Sequence, residues 1–271
     1  MKRLFLPLLL LVAAACETEV PPSDASRLVI DGWIDSGGAP VVMVTTTVAA
    51  TPVQQHISTL RSHVIKTANV SVVCGRDTVQ LVGQRDNRYT PPFVYTTDHM
   101  RGIPGKKYTL KVVHGNHVAW SETTIPEPEE VTAFSVERQS DSLASVLARW
   151  QGREGSYYKF FTRIEGADSV YCPSMMAVAQ GKDAPLSVPV IRGWHLLTRY
   201  RQPLFPTGKT VHIKFCTMEE ALYRYWCSYD DVSSLARNVI FPAKDNAEGN
   251  VQGAYGCWAG YGAYEYKVEI P

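Results

Sequence analysis

Between Arg27 and Thr217 the chain holds no sustained helical period; short β-branched runs alternate with glycine and proline, a pattern that only sheet can satisfy. RLVIDGWI (Arg27–Ile34) and VVMVTTTV (Val41–Val48) flank the turn-rich Asp35-Ser36-Gly37-Gly38-Ala39-Pro40. NVSVVCGRDTVQL carries two short alternating runs about Gly75-Arg76, which predicts a hairpin with the glycine supplying a positive φ. KKYTLKVVHGNHVAW repeats the device at Gly115-Asn116, and Ile103-Pro104-Gly105 closes a loop. Strands this short, with turns at this spacing, predict a β-sandwich over residues 27–126.

Ile125-Pro126-Glu127-Pro128-Glu129-Glu130 is the predicted boundary, because two prolines alternating with acids favour an extended connection over a place inside a sheet. Residues 127–271 read as a second β-rich domain. VTAFSVERQ (Val131–Gln139), SVLARW (Ser145–Trp150), YYKFFTRIE (Tyr157–Glu165) and VHIKFC (Val211–Cys216) are its strands. Residues 166–209 are poorly patterned and carry five prolines, which reads as long loops and irregular strands. One substantial helix is predicted near residues 218–237, with Thr217 as its cap and Glu219 and Glu220 at its positive end. Leu222, Tyr225, Trp226, Tyr229 and Val232 recur at helical spacing, a stripe suited to burial against a sheet. AYGCWAGYGAYEYKVEI closes the chain as a Gly- and aromatic-rich strand pair, its glycines suited to close backbone packing or bulges. The fold class is therefore mainly β.

The N-terminus carries a different signal. Met1-Lys2-Arg3, an apolar run from Leu4 to Ala15 and small residues before Cys16 give the three parts of a secretory signal in residues 1–15. That run is shorter than the roughly 20 residues needed to span a bilayer. A cysteine directly after the small residues resembles a bacterial lipobox, in which Cys16 is lipidated and begins the mature chain. Residues 16–26, with Glu17, Glu19, Pro21, Pro22 and Asp24, read as an extended acidic tether. Acids at that place resemble the signal that sends Bacteroidota lipoproteins to the outer face of the outer membrane, with a periplasmic location as the alternative.

Charge and motifs restrict the function. The chain holds 27 Lys and Arg against 26 Asp and Glu, and two of those bases lie in the leader, so no nucleic-acid partner is expected. Beyond Cys16 the cysteines are Cys74, Cys172, Cys216, Cys227 and Cys257, an odd set in a compartment that permits disulfides. Cys216 with Cys227 and Cys172 with Cys257 are both conceivable pairs. The sequence contains no HExxH, GxSxG, SxxK, P-loop or GxGxxG motif, so no catalytic residue, cofactor or metal is assigned. His114 and His117 flank the Gly115-Asn116 turn and read as exposed turn histidines rather than ligands. Ligand binding is expected at loop aromatics: Trp194, His195 and Tyr200 in the proline-flanked stretch near Phe205, and Trp258 with Tyr255 and Tyr261 as a second platform. Trp33, Trp120, Trp150 and Trp226 are expected inside.

Taken together, these segments resemble the Bacteroidota surface-lipoprotein family known as domain of unknown function 4249. LVIDGWIDSGGAPVVMVTTT is similar to its opening strand pair, and GKKYTLKVVHGNHVAWSETTIPEP to its G-x-x-Y-x-L-x-V strand with an Ile-Pro exit. ARWQGREGSYYKFFTRI, VHIKFCTMEEALYRYW and FPAKDNAEGNVQGAYGCWAGYGA follow in the family's order. Arg192-Gly193 stands where the family often has Asp-Gly, and Gln252-Gly253 where it has a Gly pair. The resemblance implies an immunoglobulin- or transthyretin-like sandwich followed by a second β-domain, and a setting beside TonB-dependent outer-membrane transporters. It carries no established enzymatic activity.

The expectation is thus a non-catalytic, surface-exposed outer-membrane lipoprotein, an accessory subunit of a TonB-dependent nutrient-uptake complex. The alternatives are a stand-alone glycan- or peptide-binding lipoprotein and, after that, a degradative hydrolase built from carboxylates with no local signature.

Overall fold

A computed structural model of the chain describes residues 27–47, 61–181, 184–193, 202–235 and 248–271. The protein is mainly β with one long helix. The strands of the first region are β1 (Leu28–Asp35), β2 (Val41–Thr46), β3 (Asn69–Cys74), β4 (Asp77–Gln84), β5 (Val94–Thr96), β6 (Lys107–His114) and β7 (His117–Thr124). Then come β8 (Ala133–Arg138), β9 (Leu143–Gly152), β10 (Tyr157–Ile164), β11 (Cys172–Val178), β12 (Ala184–Val190), β13 (Phe205–Pro206) and β14 (Lys209–Met218). Helix α1 (Glu220–Leu235) and the 16-residue β15 (Tyr255–Ile270) complete the order. No described helix is long and apolar enough to cross a membrane.

Eleven strands pair in the order β11-β10-β14-β15-β1-β2-β5-β4-β3-β6-β7. That sheet folds over at β4, whose first part pairs with β3 and whose last residues, Val82–Gln84, pair with β5. Both predicted hairpin turns form, with Gly75 at φ 61° and Gly115 at φ 57°. Between the two layers lies the first core, with Ile30, Val42, Val70, Tyr108 and Leu110 among its buried side chains. A smaller sheet of β12, β9 and β13, with β8 also on β9, covers the second core against β10, β14 and the end of β15. Trp150 is fully enclosed there by Tyr158, Phe160 and Phe215. The described part of residues 166–209 is more regular than its composition suggests. Pro185 and Pro189 sit in β12, which pairs with β9 on one side alone among the described strands, the edge position at which a sheet tolerates proline.

The closing segment is one strand, not a pair. Val29–Asp35 run parallel to Tyr255–Tyr261, while Gly262–Ile270 run antiparallel to β14. β15 thereby belongs to both cores, placing Trp258 in the first and Val268 and Ile270 in the second. Its intervening odd positions, Ala259 and Tyr261, face a third cluster with Phe161, Cys216, Met218 and Leu222. Helix α1 covers that cluster. A strand buried on both faces loses the alternation that marks a half-exposed one, which is why its middle reads as an undivided apolar run. Its glycines answer close backbone approaches. A side chain at Gly256, held at φ 103°, would strike the Ile30 carbonyl, and one at Gly262 the Pro126 carbonyl.

Thr217 does not cap the helix. β14 continues to Met218 because it is paired on both sides, and Thr217 lies opposite Tyr158 and Gly262. Glu219 occupies the position before the helix instead, its carbonyl accepting from the Leu222 N–H at 3.0 Å. Its carboxylate accepts from the Thr124 N–H at 2.9 Å and the Thr123 hydroxyl at 3.3 Å. One side chain thus fixes the start of α1 to the exit of β7 and stands where the helix dipole favours an anion. Glu219→Ala is expected to lower unfolding free energy by about 1.5 kcal/mol, the scale of a hydrogen bond to a charged group. An unchanged urea midpoint would count against this role.

Candidate functional site

The polar groups with the most unusual surroundings lie between the sheet and α1, where β1, β10, β14 and β15 meet. Lys159 and Lys214 project from neighbouring strands onto the same face, since Phe161 pairs with Lys214 and Lys159 with Cys216. Lys214, on β14, crosses to the end of β1 and donates to Asp35 Oδ2 at 2.9 Å. Its ammonium lies 4.9 Å from the Phe161 ring, 5.5 Å from Tyr171 and 5.6 Å from Tyr261. Burial pulls the pKa of Lys214 down, but the Asp35 charge and hydrogen bond outweigh it, with Cys216 and Glu265 assisting, and the net direction is upward. The second oxygen of Asp35 is buried without a hydrogen-bond partner, as is the Tyr171 hydroxyl.

Lys159 has no exposed surface. Its ammonium donates to the Ser174 carbonyl at 3.0 Å and lies 4.3 Å from the Trp226 ring. Burial pushes its pKa down to about 8, with the Asp230 charge opposing. An amine so tuned suits proton transfer or carbonyl attack in principle. Enclosed between β10, β11 and α1, it is out of reach of any substrate in this conformation. Cys216 and Cys257 are buried beside the same layer, and burial pushes both thiols well up, away from nucleophilic thiolate character. All five described cysteines are free thiols, so neither Cys216–Cys227 nor Cys172–Cys257 forms a disulfide. The cluster's chemistry is that of a joint: it ties β1 to β14 across 179 residues of chain.

Around the joint, side chains stitch the same elements together. Ser36 Oγ accepts from the Ala263 N–H at 2.9 Å, and Thr123 Oγ1 accepts from the Gly260 N–H at 2.8 Å. Asn250 exchanges two hydrogen bonds with the Trp258 backbone, both 2.8 Å. A cleft of about 170 Å³ opens nearby between Arg88–Thr90 and Ala167–Cys172. Its charged walls are already engaged. Arg88 grips Asp86, and Asp168 accepts from the Ile164 N–H at 2.8 Å and faces Arg192 at 3.7 Å.

The structure redistributes the residues predicted to bind ligand. Trp194, His195 and Tyr200 lie outside the described residues. The chain leading to them is pinned, because the Gly193 N–H donates to Thr162 Oγ1 at 2.7 Å. Trp258 is no platform. It is fully buried in the first core and its indole N–H donates to the Tyr108 carbonyl at 3.0 Å, so no ligand can stack on it. Its companions are also committed: Tyr261 is buried and accepts from the Trp226 indole at 2.9 Å, while Tyr255 accepts from Arg27 at 2.9 Å. Phe205 lies in the second core.

Trp120 reverses its expected place. It is 49% exposed on the outer face of β7. Ala119, Ser121 and Thr123 take the inward positions of that strand, and Trp258 supplies the bulk in the core they face. Strict alternation in HVAWSETT was the signal that could have placed Trp120 outside. His114 and His117 pair across the hairpin turn. No group of three or more metal-ligating side chains occurs among the described residues.

Residues 15–267 match the model of a protein family described as Domain of unknown function (DUF4249). The comparison with curated proteins gives no match.

Proposed function

The chain belongs to the DUF4249 family, and on that footing we propose that it is a non-catalytic lipoprotein, lipidated at Cys16 and exposed on the outer face of a Bacteroidota-type outer membrane. In this reading it is an accessory subunit of a TonB-dependent uptake complex, guiding substrate to the transporter or covering its mouth. The observation that carries the reading is the leader, a basic start and an apolar run to Ala15 immediately before Cys16, followed by the acidic residues Glu17 and Glu19. A rigid double sandwich suits the role. Arg27, the first described residue, is held by a backbone bond to Thr47 Oγ1 at 3.1 Å and by its guanidinium on Tyr255, so the tether enters a fixed body. Any binding surface on that body then keeps a constant relation to Arg27, where the tether joins it.

Full-length protein expressed in its native envelope and fed an alkyne fatty acid is expected to incorporate label, and Cys16→Ser to abolish incorporation and release the protein from the membrane fraction. Protease applied to intact cells should degrade the wild type. Crosslinking followed by mild detergent extraction should recover a TonB-dependent receptor. Absence of lipid on the wild type would remove the anchor. Protection from protease, or recovery without a receptor, would remove the surface or the accessory role respectively.

A further inference from the structure

The outer face of the first sandwich bears a continuous row of side chains that the transporter reading leaves unused. The registers of β4, β3, β6 and β7 bring Gln80, Ser71, Lys111 and Trp120 into line, each opposite the next. With neighbouring strands about 4.8 Å apart, this row runs about 14 Å across the sheet. It begins at a carboxamide and ends at a half-exposed indole. Gln80 is fixed by donating to the Val70 carbonyl at 2.8 Å, which leaves its side-chain oxygen as an acceptor. The Trp120 backbone is clamped on its free edge by Gln252, with N–H to carbonyl bonds of 3.0 and 2.8 Å in the two directions.

Charge on this row is unbalanced. Glu122, two residues from Trp120, is matched by Lys107 at 2.9 Å and accepts from Thr109 at 3.1 Å. Lys111, directly opposite the indole, makes no ion pair among the described residues and does not stack on Trp120. The nearby valines do not merge into one apolar patch. Val118 lies beside Trp120, but Val82 is separated from both by Ser71, Gln80 and Lys111. A protein interface of standard size calls for a larger apolar centre.

We propose that this row is a binding site for a linear glycan bearing carboxylates, with one sugar ring stacked on Trp120, its carboxylate at the Lys111 ammonium, and the following units hydrogen-bonded along Ser71 and Gln80. An indole face takes the apolar face of a sugar ring, the flat sheet admits an extended chain, and the lone cation selects an anionic one. The site belongs to the first sandwich and acts with or without a transporter.

The test is migration of purified full-length protein in native gels cast with polygalacturonate, with alginate as a second uronate polymer and neutral xyloglucan as the comparison. Retardation is expected in the two uronate gels and not in xyloglucan. Trp120→Ala is expected to weaken it on the order of tenfold, with Trp120→Phe intermediate and thermal melting unchanged. Lys111→Ala is expected to weaken it several-fold and to remove most of its salt dependence. The proposal is overturned if neither uronate polymer retards the wild type, if xyloglucan retards it equally, or if Trp120→Ala migrates as the wild type does.

Discussion

Asp35→Ala is expected to lower the unfolding free energy of the protein by about 3 kcal/mol, while Lys214→Met costs only about 1–2 kcal/mol. The asymmetry follows from exposure. Lys214 keeps 7% of its side-chain surface and Asp35 21%. Removing the carboxylate strands an ammonium with almost no water, and the surrounding rings of Phe161, Tyr171 and Tyr261 only partly replace the lost charge. Glu265, the register partner of Lys214 on β15, shares its face and keeps the loss below the upper end of the usual range. Removing the lysine instead leaves a carboxylate with three times the lysine's side-chain exposure, although its Oδ1 stays buried.

The double variant Asp35→Ala/Lys214→Met should recover most of the loss, since a buried pair is commonly near neutral against apolar replacements even when breaking it is costly. Urea midpoints at pH 7, with an unchanged slope, measure all three. The folded pKa of Lys214 is raised, so its contribution is fully present below about pH 10.4, the unfolded value, and is lost as pH climbs through the higher folded one. The wild-type contribution is therefore flat from pH 7 to pH 9, whereas in Asp35→Ala burial lowers the stranded ammonium's proton affinity, so the cost of that substitution is expected to be largest at pH 7 and to shrink as pH rises toward about 10.4. Equal costs for the two single variants would mean that the pair is hydrated and the joint is held by backbone pairing alone.

How far the chain could be read depended on what each residue faces. Half-exposed hairpins were legible because one side of each strand meets water: β3 with β4 and β6 with β7 show alternation, and Gly75 and Gly115 mark their turns. Helix α1 was legible from Leu222 and Trp226 on one stripe. β15 was not, because burial on both faces erases the period and its switch from β1 to β14 leaves no local mark. The joint was equally hidden. A lysine in KTVHIKFC reads as solvated until the register sets it against an aspartate 179 residues away. Aromatics mislead for a related reason, since a glycine-flanked tryptophan such as Trp258 suggests an open loop when the glycines instead let backbones close around it. Trp120 was the opposite case, placed outside by an alternation that its size argues against.

Lys159→Met is expected to change the sign of its effect with pH. Burial holds the folded pKa of this lysine near 8, against about 10.4 in the unfolded chain. Below pH 8 the native state carries a buried charge at a cost of about 3 kcal/mol, because a tenfold change in proton affinity between the two states is worth about 1.36 kcal/mol. From pH 8 to about 10.4 the unfolded chain binds the proton that the native state has released, so this contribution to stability rises with pH and the cost is gone at the top of the window. Methionine fills similar volume without the charge but leaves the Ser174 carbonyl without its donor, a loss of about 1 kcal/mol. The variant should therefore be more stable than the wild type by about 2 kcal/mol at pH 7, about equal to it near pH 10, and less stable by about 1 kcal/mol at pH 11. Subtracting variant from wild type at each pH removes the buried tyrosines and Lys214, which titrate in both. The ring of Trp226, 4.3 Å from the ammonium, and Asp230 act in the other direction, by favouring the charged form. If they prevail, the difference between the two proteins stays flat from pH 7 to pH 10, and the lysine is then a charged fastening of α1 to the sheet rather than an amine held near neutrality.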